Sequence, residues 1–319
     1  PICVHMRQEG DGVVDALREM IEVARALQTP LEVSHLKAIG GRNARKAVPE
    51  MLSLIARARE EGLDVMCDAY PYTAGSTQLI HVLPPEFQAG GTETLTKRLR
   101  DCAAREEMRA RMETGSDFEN ITLLVGFENV VAIGLRTDEY HRFEGKSIAE
   151  IALALGKDPY DALFDLLAAE KCEAGMIDYI SDEEDLKAIL RAPFSGVISD
   201  ATYPGAGQVH PRVYGAFARL IETYVVREKV LTLEQAVHKV TLQAAERFSL
   251  AGKGKIEVGA DADLLLFAPE KIRERGTYLT PKACASGFDE VFVLGERVIE
   301  NGEYRGGSSG EMLGLRMEY

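Results

Sequence analysis

The sequence predicts an α/β fold: a parallel sheet with helices packed outside it, of the kind that closes into a (β/α)8 barrel, followed by a small β domain. Three observations carry this reading. Two apolar runs each end on a histidine, Pro1-Ile2-Cys3-Val4-His5 and Leu31-Glu32-Val33-Ser34-His35, with one helix-length amphipathic segment between them. A third apolar run, Leu63-Asp64-Val65-Met66-Cys67-Asp68, follows a second such segment. Beyond Gly252 the pattern changes to short apolar runs parted by glycines. Strands alternating with helices make parallel sheets, and a barrel of this type gathers functional side chains from strand ends on one face.

The elements follow in order. Asp15 to Leu27 repeats apolar residues at helical spacing, and Asn43 to Glu60 does the same through Ala47, Met51, Leu54, Ile55 and Ala58. Gly62 stops the second helix before the third strand. From about Pro84 to Arg191 the rhythm breaks into a mostly helical, charged segment, expected to be a lid-like insertion at about 84–191. Within it, Ser147-x-x-Glu150 is a capping box and Asp158-Pro159 opens a helix. Ile121–Val125 and Val130–Ile133 read as short strands, and Pro71 and Gly75 shape a loop that carries Ser76. Phe194 to Asp200 returns to a strand pattern, and helices are expected over Val213–Arg227, over Leu233–Lys239 behind the capping box Thr232-x-x-Gln235, and from about Thr241. Leu242 to Phe248 reads as core packing. Short strands are expected at Lys255–Gly259, Asp263–Phe267 and Glu290–Ile299. The division is therefore 1–252 and 253–319, and there is no internal repeat.

Composition narrows the function classes. The chain has 319 residues, 46% hydrophobic and 28% charged, which is globular composition. A net charge of −14 argues against a nucleic-acid partner. No apolar run approaches the roughly 18–20 residues of a membrane helix, and the opening residues read as a strand rather than a signal peptide. Five dispersed cysteines form no Cys-x-x-Cys pair; Cys3 and Cys67 read as buried small hydrophobes in strands. A cytoplasmic location is the expectation.

The chemistry concentrates at strand ends. A single strand histidine is usually structural, but His5 and His35, in register on consecutive parallel strands, read as metal ligands. Asp200, at the end of another strand, would take a proton from a metal-bound water; its bland reading is a turn cap, as it is for Asp68. Arg212, in His210-Pro211-Arg212, suits a substrate carboxylate through paired hydrogen bonds, and Lys37 offers a second positive charge. Tyr70 would donate to a carbonyl oxygen. His238 reads as helix surface, and His81 and His141 have no partner pattern.

These strings together resemble the N-acyl-D-amino-acid deacylases, or D-aminoacylases, of the amidohydrolase superfamily. The carriers are His5-Met6-Arg7, Ser34-His35-Leu36-Lys37, Asp68-Ala69-Tyr70-Pro71-Tyr72 through Thr77, Ser199-Asp200-Ala201, His210-Pro211-Arg212 and Gly259-Ala260-Asp261-Ala262-Asp263-Leu264. The resemblance implies the C-terminal part of a metal-dependent (β/α)8 barrel, strands five to eight with a helical insertion, then a small β-sandwich portion. It implies zinc ligands at His5 on strand five and His35 on strand six, and Asp200 on strand eight as general acid/base. Lys37, Tyr70, Ser76 and Arg212 would grip the substrate carboxylate or polarise its amide. The implied reaction is zinc-dependent hydrolysis of the amide of a small N-acyl-D-amino acid. A dipeptidase, hydantoinase or dihydroorotase type of reaction is the alternative, as is an inactive structural fragment. The resemblance also exposes a departure: the family's His-x-His pair and cysteine ligand precede the counterpart of His5, and neither is in this sequence. The expectation is a truncated chain, which would self-associate or pair with the missing N-terminal segment because half a barrel leaves open edges.

Overall fold

The computed structural model describes residues 1–202 and 207–313. Strands β1 (Ile2–Val4), β2 (Leu31–Val33) and β3 (Val65–Ala69) pair in parallel, with helix α1 (Val13–Leu27) crossing from β1 to β2 and α2 (Ala47–Glu60) from β2 to β3. α1 buries Val13, Ala16, Leu17, Ile21 and Ala24, one stripe of a 3.6-residue period. α2 buries Val48, Met51, Ile55 and Ala58. Both stripes close on Leu31, Val33, Val65 and Cys67 in the main core. Each fully buried Leu or Ile there contributes roughly 1.5–3 kcal/mol, which fixes the helices against one face of the sheet.

The two strand cysteines part company. Cys67 is buried as expected, whereas Cys3 is exposed. Their registers explain it: Cys67 aligns with Val33 on the helix-covered face, while Cys3 aligns with Glu32 on the opposite face. Alternate strand residues point to opposite sides.

After β3 the chain leaves this sheet. β4 (Ala74–Gln78), β5 (Val130–Ile133) and β6 (Gly175–Tyr179) form a second, antiparallel sheet in the order β4-β6-β5. Ser76, expected in a loop, therefore sits in a strand. Ile121–Val125, expected as a strand, is a helix, because the Asn120 side chain caps it by accepting from Leu123 N at 3.3 Å. The Ser147–Glu150 capping box and the Asp158 cap ahead of Pro159 are formed. Around this sheet lies a second core that includes Leu79, Leu99, Met108, Ile148, Phe164, Leu167 and Met176.

The chain then returns through the helix Glu183–Arg191 to β7 (Ser195–Val197), which pairs in parallel with β3 and completes the order β1-β2-β3-β7. The long helix expected over Val213–Arg227 runs as α-helix over Arg212–Arg219 and as π-helix over Leu220–Arg227. Leu233–Val240 follows its Thr232–Gln235 capping box, and Lys239 on it buries its ammonium against Ala192 O and Ser195 O, each at 2.6 Å. Leu242–Arg247 packs only in part: Ala245 is buried and Phe248 exposed. Finally β8 (Leu264–Phe267), β9 (Phe288–Val293), β10 (Glu296–Glu300) and β11 (Glu303–Tyr304) form an antiparallel sheet in chain order. Lys255–Gly259, expected as a strand, is turns, with Gly254 and Gly259 at φ of 80° and 93°. Among the described residues no helix is long and apolar enough to cross a membrane.

Candidate metal and substrate site

His5 lies just past β1 and His35 two residues past β2. His35 adopts a left-handed backbone, φ 40°, and β3 holds it there: Asp68 Oδ1 accepts from His35 N at 2.6 Å, and Asp68 O accepts from Leu36 N at 2.8 Å. The turn aims the two imidazoles at each other. His5 Nδ1 and His35 Nε2 are 3.1 Å apart. Two zinc–nitrogen bonds of about 2.0–2.1 Å at a tetrahedral angle would hold their nitrogens about 3.3 Å apart. Two ring nitrogens at that spacing suit a shared cation.

Glu9 stands behind this pair, buried at 2% exposure. Its Oε1 lies 3.1 Å from His35 Nδ1 and accepts from Lys37 Nζ at 2.7 Å. His5, Glu9 and His35 offer ligand atoms all within 4.8 Å of one another. Glu9 and the Lys37 ammonium, 3.0 Å away, both meet the far nitrogen of His35, which orients the ring and turns Nε2 toward His5. Burial pushes the Glu9 carboxyl up, but the Lys37 ammonium and the imidazoles outweigh it and hold it at about 2. Burial likewise opposes the Lys37 charge, and Glu9 overcomes it, pushing Lys37 up to about 12. Lys37 thus joins His35 through the turn that follows β2. A catalytic zinc takes three protein ligands; the described residues turn two imidazoles to one point, with Glu9 alongside.

The second cluster gathers around Arg212, which is 2% exposed. Asp200, three residues past β7 and left-handed at φ 48°, pairs through Oδ2 with Arg212 Nη1 at 2.8 Å. Arg212 Nη2 donates to Ser76 O at 3.1 Å, and its guanidinium lies 4.6 Å from the Tyr70 ring centroid. Its Nε is buried without a partner. His210 supports the arginine: Nδ1 accepts from Arg212 N and Nε2 donates to Ala74 O, both at 3.0 Å. Burial, then the Arg212 charge, drives the His210 pKa well below its usual range, so the neutral ring serves as a strut. Ser76 Oγ donates to Met176 O at 2.8 Å, so its one proton is committed to the second sheet. Burial raises the Tyr70 phenol.

Both clusters open onto one cavity of about 590 Å³, which also reaches His81, Glu119 and Asp178. Burial lowers the His81 pKa there; His238 is on an exposed helix face, and His141 Nδ1 contacts Leu135 O at 3.1 Å. Glu9, Glu119 and Asp178 escaped sequence reading. Asp178 had a signal, a lone carboxylate inside the apolar run Met176-Ile177-Asp178-Tyr179-Ile180. Burial pushes it up to about 6.

This arrangement has relatives. The amidohydrolase family profile matches residues 3–278. D-aminoacylase of Alcaligenes xylosoxydans is 30% identical over 312 residues, 97% of this chain and 54% of that protein. The N-acyl-D-glutamate deacylase of the same organism is 30% identical over 291 residues, 91% of this chain and 50% of that protein. A crystal structure of D-aminoacylase matches with a TM-score of 0.74 at 29% identity, covering 98% of this chain and 55% of its own. The N-acyl-D-glutamate deacylase of Bordetella bronchiseptica, solved with zinc and a phosphonate that mimics the tetrahedral intermediate, matches with a TM-score of 0.73 at 30% identity, covering 93% and 52%. The chain spans about half the length of the relatives it matches. With a family profile covering most of its residues, and its fold shared with solved members, the chain belongs to the amidohydrolase family.

Proposed function

We propose that this chain is the C-terminal part of a cytoplasmic, zinc-dependent deacylase that hydrolyses N-acyl-D-amino acids to a carboxylate and a D-amino acid. In this reading residues 1–252 supply barrel strands five to eight with a lid-like insertion at about 84–191, and 253–319 supply part of a β-sandwich. β1, β2, β3 and β7 are those four barrel strands. The observation that carries the proposal is the convergence of the His5–His35 nitrogen pair and the Arg212–Asp200 pair on one cavity.

His5 and His35 would hold the zinc, with Glu9 orienting His35. Bound there, zinc supplies Lewis-acid polarisation of the acyl carbonyl and an acidified water. Asp200 takes the proton of the attacking water and delivers it to the leaving amine nitrogen. Its pairing with Arg212 holds the carboxylate in place. Arg212 Nε, the donor with no protein partner, meets the substrate carboxylate. Tyr70 and Lys37 supply further donors, while Ser76, its proton already given to Met176 O, accepts rather than donates. The second sheet, which contributes Ser76 and Asp178, walls the cavity from water.

The test uses the protein expressed from the whole gene. It should carry zinc, measured by metal analysis, and release acetate from N-acetyl-D-amino acids. Asp200→Asn should keep the zinc and lose about 10²–10⁴-fold in kcat. Full activity in the zinc-loaded Asn variant would remove Asp200 from the proton path. A metal-loaded protein silent on every D substrate would redirect the reading to the hydantoinase, dipeptidase or dihydroorotase type.

A further inference from the structure

The cavity's own charges are uneven, and a divalent ion on His5 and His35 would offset the formal difference, so what matters is which carboxylates lack a local partner. Its lining holds three fixed cations, Arg7, Lys37 and Arg212, against five carboxylates, Glu9, Asp117, Glu119, Asp178 and Asp200. Every one of the cations is already paired. Arg7 Nε meets Glu19 at 2.5 Å, Lys37 Nζ meets Glu9 at 2.7 Å, and Arg212 Nη1 meets Asp200 at 2.8 Å. Glu119 and Asp178 have no cationic partner among the described residues. Asp117 pairs with Arg111 at 3.0 Å, which leaves Glu119 and Asp178, both on the insertion side, as the lining carboxylates without an ion pair among the described residues.

Asp178 is the sharper of the two. It is 3% exposed, and its Oδ1 has no hydrogen-bond partner. It lies on β6 directly across from Gly75 on β4. A Cβ added at Gly75 would come within 2.7 Å of that Oδ1 and 2.9 Å of Ile180 Cδ1. The glycine therefore keeps the strand pair open where the carboxylate faces the cavity. A buried acceptor without a donor is costly, and the economical resolution is a donor carried by the ligand.

We propose that the cavity takes an N-acyl-D-amino acid whose side chain ends in a cation or an N–H donor, with Asp178 as its acceptor, and that it rejects D-glutamate and D-aspartate side chains. This rests on the deacylase reading above. The α-carboxylate of any substrate uses Arg212 Nε, and a side-chain carboxylate placed against Asp178 meets a like charge where a donor is wanted, with Arg7, Lys37 and Arg212 already paired. Like charges at close range repel. The relatives that act on N-acyl-D-glutamate and N-acyl-D-aspartate thus have a different charge preference from this chain.

The experiment compares kcat/KM on the N-acetyl derivatives of D-arginine, D-leucine and D-glutamate, using the zinc-loaded protein expressed from the whole gene. The arginyl substrate should exceed the glutamyl one by at least about a hundredfold. In Asp178→Asn, nearly the same shape, the arginyl-to-leucyl ratio should fall about tenfold. A glutamyl substrate turned over as fast as the arginyl one overturns the proposal, and that comparison needs no variant. A folded Asn variant with an unchanged arginyl-to-leucyl ratio also overturns it. A parallel binding arm separates this from the deacylase reading: D-arginine should raise the melting temperature in an Asp178-dependent manner and D-glutamate should not. If none of the acetylated substrates is cleaved, the deacylase reading fails, and selective stabilisation by D-arginine still supports the charge preference. Equal stabilisation by both amino acids overturns it.

Discussion

Glu9 shows how much one side chain organises here. It accepts from Lys37, faces the far nitrogen of His35, and lies in a region where burial alone would have neutralised it. Its work is to hold an imidazole, so Glu9→Gln should weaken zinc binding by about 10–100-fold in a chelator competition, with the far-ultraviolet dichroism unchanged. Unchanged zinc affinity would show that His35 is oriented without it. His5, His35 and Asp200 were legible in the sequence because each terminates an apolar run. Glu9 was not, because its partner Lys37 is 28 positions away and only the left-handed turn at His35 brings them together. Asp178 was hidden for a similar reason: its meaning lies in the strand across from it. Asp200 shares the left-handed backbone of His35, which makes Asn, a residue that tolerates it, the informative replacement there.

At the scale of elements, the caps and helical stripes read correctly and the second sheet did not. α1 and α2 follow directly from apolar spacing. β4, Ala-Gly-Ser-Thr-Gln, has no apolar alternation to announce a strand, and its state is set by pairing with β6. Ile121–Val125 has the branched residues of a strand, but the cap at Asn120 wins. A buried cation also joins elements: Lys239 ties its helix to the carbonyls of Ala192 and Ser195 at the entry to β7. Burial lowers its pKa from 10.5 to about 8. Between those values the unfolded chain binds a proton that the folded one does not, so stability from this group rises with pH through that window. The penalty is full below pH 8 and relieved by about pH 10.5, on the order of 3 kcal/mol. The melting temperature of the wild type relative to Lys239→Met should therefore climb from pH 8 to pH 10. A pH-independent difference would show that the ammonium is not strained.

The whole molecule exposes what a closed fold would cover. Leu265 and Leu266 on β8 are 56% and 61% exposed, Ile256 and Val258 are at least 90% exposed, and Cys3 faces away from the helices. Sheet edges and apolar faces of this kind recruit partners. The 319-residue chain purified alone should scatter light as a dimer or larger species, whereas a monodisperse monomer with a single cooperative calorimetric transition would contradict this. The two sheets that hold the site are themselves bridged by one side chain. Arg212 grasps Asp200 beyond β7 with one terminal nitrogen and the Ser76 carbonyl on β4 with the other. A ligand held at Nε rests on the same guanidinium whose terminal nitrogens fasten the sheets, so occupancy and the mutual stiffness of the two sheets are expected to be thermodynamically linked. By reciprocity, anything that stiffens the joint changes ligand affinity by the same factor. The arginine is thus a clasp between the two sheets as well as a contact.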